Sequence, residues 1–91
     1  QTALEYGLIN QIVEKKNFVM ECQCMLDTLL ECAPLSLRAS KEMIHKGLSA
    51  SSMEEAFKLN YQEHATMLSS YDTREGSKAF LEKRTPLWRG R

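Results

Sequence analysis

The sequence predicts an all-α domain, about four helices preceded by one short strand. Three observations carry this. Phe18, Cys22, Met25, Leu26, Leu29 and Leu30 recur at helical spacing and form one apolar face. Neither Gly nor Pro occurs from Ser49 through Tyr71, so nothing there punctuates a helix. The stretch from Asp72 to Pro86 has an acidic start, an apolar stripe, a cationic finish and a proline stop.

In chain order, Thr2 to Tyr6 reads as the last turn of a helix, with Gly7 as its stop. Leu8 to Val13 is rich in β-branched residues and reads as a short strand, although the chain holds no second strand to pair with it. The expected division is therefore 1–16, a helix end with strand and linker, and 17–91, a helical domain. Asn17 is expected to cap the first long helix, and Ala33-Pro34 to end it. Pro34 suits the first turn of the next helix, which Gly47 is expected to close. A polar loop follows. Ser51 with Glu54, or Ser52 with Glu55, forms a capping box for a long helix. Ala56, Phe57, Asn60, Tyr61, His64, Met67, Leu68 and Tyr71 make its stripe. Asp72 is expected to cap the terminal helix, with Glu75 completing a capping box. Lys83 and Arg84 suit the negative end of its dipole. Phe80 is expected to pack inward while Lys83 leans outward.

Composition narrows the function classes. Hydrophobic residues are 43% and charged residues 26% of the 91, as in globular domains. Twelve basic and twelve acidic residues cancel, so no global field draws nucleic acid or an anionic membrane. The longest apolar run is too short to span a bilayer. Charge is nonetheless uneven. Lys83, Arg84, Arg89 and Arg91 crowd the end of the chain with no acid after Glu82. This cluster reads as a solvated tail or as a phosphate-facing patch. Trp88, in the same segment, reads as a packing anchor or as a contact across a subunit interface.

An odd number of cysteines, Cys22, Cys24 and Cys32, suggests a reducing compartment such as the cytoplasm or the mitochondrial matrix. On a helix, Cys22 and Cys24 point about 200° apart and form no metal clamp, so all three read as small core fillers. His45, near a helix end, reads as a surface residue, and His64, on the apolar stripe, as a core histidine. No phosphate-cradling glycine loop and no H-E-x-x-H occurs. Glu54 and Glu55 are sequence neighbours and do not face one site. No residue is assigned as catalytic or as a metal ligand.

The pattern D-x-x-EG-x-x-AF-x-EKR-x-P over Asp72–Pro86 resembles the C-terminal signature of the crotonase superfamily, the enoyl-CoA hydratases and isomerases. Ala3, Gly7-Leu8-Ile9-Asn10 and Val13 resemble the segment that joins that family's core domain to its terminal helices. The resemblance implies a C-terminal helical, trimerisation-type domain of the crotonase fold, with residues 1–16 ending the core domain. It implies a parent enzyme, a lyase adding water to a 2-enoyl-CoA, assembled as a homotrimer or hexamer. Paired N–H groups holding the thioester enolate and the carboxylates moving its protons would lie upstream, so this chain alone is expected to show no hydratase activity. Coenzyme A would enter as part of the substrate, with no other cofactor. Lys83 would approach the ADP phosphates. His64 stands at the family position where an aromatic residue nears the adenine. The isolated chain is expected to self-associate. The same resemblance admits a parent isomerase, thioester hydrolase, decarboxylase or dehalogenase. A helical interaction module without enzymatic role is the remaining alternative.

Overall fold

A computed structural model describes all 91 residues, and all of its regular structure is helical. The elements are α1 (Thr2–Glu5), α2 (Phe18–Leu30), α3 (Pro34–Ser49), α4 (Met53–Lys58), α5 (Gln62–Ser69) and α6 (Tyr71–Glu82), with a 3₁₀ turn at Lys15–Asn17. They fall into two compact units, Gln1–Glu31 and Cys32–Arg91. No helix is long and apolar enough to cross a membrane.

In the first unit, Gly7 ends α1 at φ +69°, and Leu8 N–H reaches back to Ala3 C=O at 2.8 Å. The expected strand at Leu8–Val13 does not form; this segment is bends and irregular chain. β-branched composition favours extended backbone, but a strand needs a partner for its N–H and C=O groups, and this unit offers none. Asn17 precedes α2 as expected but makes no side-chain capping bond. The α2 stripe exists as a pattern yet buries nothing. Phe18, Met25, Leu26, Leu29 and Leu30 are all exposed, as are Cys22, Cys24 and Cys32, so the cysteines are not core fillers.

The second unit is built on α3, which packs chiefly against α5. Pro34 occupies the first turn of α3, where its missing N–H costs nothing. The helix runs past Gly47 to Ser49, where Ser49 Oγ donates to His45 C=O at 3.0 Å. Leu35 and Ala39 are its buried face. Ser52 then caps α4, accepting from Glu55 N–H at 3.1 Å, while the Glu55 carboxylate accepts from Ser51 N–H at 2.6 Å.

The long helix expected from Ser51 to Tyr71 is two helices, α4 and α5. Leu59 and Tyr61 are extended, at ψ 147° and 92°. No glycine or proline marks this break; long-range partners stabilise it. The Glu42 carboxylate on α3 accepts from Gln62 N–H at 3.1 Å and Glu63 N–H at 2.8 Å. It thus caps α5 from another helix, Tyr61 making no side-chain cap of its own. Lys46 donates to Glu42 at 2.6 Å and to Asn60 C=O at 2.9 Å. Tyr61 Oη donates to Ala56 C=O at 2.7 Å. Arg38 joins Glu63 at 2.7 Å.

Ser70, not Asp72, caps α6; its Oγ accepts from Thr73 N–H at 3.2 Å. Capping positions differ in energy, and this gives a test. Ser70→Ala should lower stability by about 1–2 kcal/mol in urea denaturation, whereas Asn17→Ala should change it by less than about 0.5 kcal/mol. Equal losses would contradict the assigned caps.

Candidate functional site: the closed end of the terminal helix

Moving the cap to Ser70 places Asp72 in the first turn of α6 and Glu75 in the second. Both are acids, and both are buried, Asp72 to 2% exposure. Charge at that depth requires partners. Residues 84–91 supply them by folding back along the helix.

Asp72 accepts from Arg89 N–H at 2.7 Å and Gly90 N–H at 2.8 Å. Tyr71 N–H donates to Arg91 C=O at 2.7 Å, so the returning chain also satisfies a first-turn donor of α6. Glu75 takes a fork from Arg84, Nη1 at 2.6 Å and Nη2 at 3.1 Å, and a third bond from Leu87 N–H at 2.9 Å. The indole of Trp88 lies on Gly76; a Cβ there would stand 3.3 Å from the ring. Trp88 is therefore the packing anchor of the tail. Arg89 sets its guanidinium 4.4 Å above the Tyr71 ring. The acid–x–x–acid–Gly spacing thus encodes a clasp rather than a capping box.

Three bonds from Arg84 and Leu87 hold the Glu75 carboxyl well below its ordinary range, at about 2. The same pairing pushes the Arg84 guanidinium up. The Lys46 ammonium lowers Glu42, and Ser51 lowers Glu55.

The basic tail is therefore not a uniform patch. Arg84 is consumed by Glu75 and by Glu82, at 2.6 Å from each. Arg89 is consumed by Tyr71. Lys83 is exposed and makes no ion pair. It sits at the C-terminal cap of α6 with φ +52° and ψ 43°, the only non-glycine residue at positive φ. One turn earlier, Phe80 is 84% exposed. The expected inward packing of Phe80 is wrong, because Ala79 and the two acids occupy the buried face of α6. An exposed aromatic ring and an unpaired ammonium thus share the end of one helix. An exposed ring and an exposed cation on the same helix end are groups that a nucleotide-like anion can use. The Phe80 signal was its spacing: it lies three residues from Lys83, outside the face set by Asp72, Glu75 and Ala79.

His64 lies elsewhere. It is half-buried and lines an open groove of about 560 Å³ with Met43, Met53, Phe57, Leu59 and Tyr61. Lys83 is not among that groove's walls. No group of three or more His, Cys, Asp or Glu side chains is assembled in a metal-binding arrangement.

All 91 residues match the protein family described as enoyl-CoA hydratase/isomerase. The chain is 32% identical to a carnitinyl-CoA dehydratase of Salmonella typhi and 36% identical to one of Proteus mirabilis. Each match covers the whole chain. The chain spans 36% of the length of these relatives. Among solved structures it resembles an enoyl-CoA hydratase/isomerase of Mycobacterium paratuberculosis, at TM-score 0.89 and 36% identity. The likeness covers 100% of this chain and 35% of that one. An enoyl-CoA hydratase of Bacillus anthracis gives 0.87 at 27% identity, with the same coverage.

The depressed Glu75 has a pH signature. A carboxyl lowered on folding stabilises the fold above its unfolded value of 4.5, and that contribution is lost as pH falls towards 2. Melting temperature should drop over this window. Glu42 and Glu55, lowered in the same direction, should contribute to the drop. In Glu75→Gln the decline should be shallower and the neutral-pH stability lower. An unchanged acid profile would remove Glu75 from the account.

Proposed function

Because the chain belongs to the enoyl-CoA hydratase/isomerase family, we infer that it forms the helical part of an acyl-CoA-handling lyase and supplies part of the coenzyme A nucleotide site. The reaction proposed for the whole protein is reversible addition of water to a 2-enoyl-CoA. The relatives named carnitinyl-CoA dehydratase favour this over thioester hydrolysis or decarboxylation, since dehydration is the same step run backwards. Enolate stabilisation and proton transfer are assigned to residues outside this chain. No metal or redox cofactor enters the proposed reaction; coenzyme A is carried by the substrate.

The observation that carries the site is the exposed Lys83, which makes no ion pair at the end of α6 while Arg84 and Arg89 are engaged, with the exposed Phe80 three residues earlier on the same helix. Lys83 is assigned to the ADP phosphates, where it acts as a point charge. Phe80 is assigned as an apolar face for the nucleotide. His64, in its separate groove, is retained as a candidate adenine contact from a second position. The exposed thiols of Cys22 and Cys24 suit a reducing compartment such as the cytoplasm.

Association between subunits is the second part of the proposal. The α2 face, with Phe18, Leu26, Leu29 and Leu30 exposed, is the apolar surface such contacts use. In the intact enzyme we assign it to the core domain and neighbouring subunits of a trimer or hexamer.

Two measurements test these assignments. Lys83→Ala in the full-length protein should raise KM for an acyl-CoA about tenfold, with kcat little changed. Phe80→Ala should raise it about threefold to tenfold. Neither should alter kinetics on the matching acyl-pantetheine, which lacks the nucleotide; equal loss on both substrates would refute the assignment. The 91-residue chain alone should sediment as a dimer or larger at about 100 μM, and a clean monomer would count against the apolar face as an association surface.

A further inference from the structure

Lys83 occupies a backbone position where lysine is an unfavourable choice. The end of α6 closes as a Schellman turn. Arg84 N–H bonds Ala79 C=O at 3.0 Å, and Lys83 N–H bonds Phe80 C=O at 3.3 Å. The left-handed residue of this turn is usually glycine, because a Cβ clashes there. Retaining a side chain in a disfavoured conformation points to a use for that side chain.

Something must also hold it there. The residue after a Schellman cap ordinarily packs an apolar side chain back on the helix. Here that residue is Arg84, and the fork to Glu75 substitutes for the apolar contact. Glu75 is itself fixed by Leu87 N–H. The Lys83 backbone is therefore pinned on both sides, by the helix before it and by a locked arginine after it. Arg84 has a second effect. Its Nε engages Glu82 at 2.6 Å, and Lys78 stands 3.9 Å from the same carboxylate. The acid adjacent to Lys83 is occupied, so the lysine ammonium stays unpaired.

We propose that Glu75 and Arg84 are positioning residues for anion binding: their ion pair holds Lys83 in the left-handed conformation and draws off Glu82, presenting a pre-organised, unpaired ammonium to the phosphates of the ligand. This rests on the assignment of Lys83 to the coenzyme A nucleotide. Without the fork, the Lys83 backbone relaxes into ordinary helical conformations, and only a fraction of molecules present the ammonium correctly. Affinity falls by that fraction.

The test uses the full-length enzyme with an acyl-CoA and its acyl-pantetheine analogue. Glu75→Gln should raise KM for the acyl-CoA about threefold to fivefold, with the loss confined to that substrate. The double variant Glu75→Gln/Lys83→Ala should be no worse than Lys83→Ala alone, since the pair acts only through the lysine. Lys83→Gly should raise the melting temperature by about 2–4 °C while losing affinity as fully as Lys83→Ala. If Glu75→Gln does not fold, Arg84→Lys, which cannot form the fork, provides the same reading. A Glu75 or Arg84 variant with unchanged KM, or a double variant with fully additive losses, overturns the positioning role and leaves the Lys83 assignment standing. Normal KM in Lys83→Ala overturns both.

Discussion

Two buried carboxylates on one helix organise the second unit. Asp72 and Glu75 sit three residues apart on the inner face of α6, and neither is stable there as an unpaired charge. Each is satisfied almost wholly by chain that follows the helix: Arg89 and Gly90 N–H for one, Arg84 and Leu87 N–H for the other. The requirement to satisfy those charges is what returns the tail along α6. Once returned, it places the Trp88 ring against Gly76 and brings the Arg91 carbonyl to the open N–H groups of the first turn. A small apolar core accompanies this: Leu35, Ala39 and Ala79 are its fully buried members. Directional polar bonds carry a large share of the specificity of this unit.

The same device recurs at α3. Glu42 caps α5 from a neighbouring helix, as the tail carbonyl serves α6. In both places a helix start is satisfied by a group distant in sequence. Such caps couple the helices, because losing the partner exposes unsatisfied donors at a second element. They also account for the interruption at Leu59–Tyr61, where local composition favours a continuous helix.

The clasp connects stability to the proposed binding site. Arg84 closes the helix end, neutralises two acids and shapes the turn at Lys83. Chemistry at the tip of α6 thus inherits its geometry from charges buried two turns away. The α2 face has the opposite character. Its apolar stripe is complete in pattern and exposed in the chain, and it is the surface proposed above for association.

Much of this was legible in the residues. The helical class, the stop at Gly7, the helix starting at Pro34, the Ser52–Glu55 cap and the Asp72–Pro86 signature all follow from local rules of periodicity, capping and turn chemistry. Such rules involve residues within about four positions of each other. Lys83 was singled out by the pattern it completes, and its role remains a proposal. The strand expected at Leu8–Val13, the unbroken helix through Tyr61, the Asp72 cap and the inward Phe80 were each reasonable locally and failed. In the first three cases the deciding partner was distant or absent: no second strand for Leu8–Val13, Glu42 for the start of α5, and Arg89 and Gly90 for Asp72; Phe80 differs, its outward turn following from its spacing relative to the Asp72–Glu75–Ala79 face of its own helix. Periodicity places a side chain on a stripe. Whether that stripe faces a core, a folded-back tail or solvent depends on long-range pairing of charges and hydrogen bonds, which is settled only when the chain closes on itself.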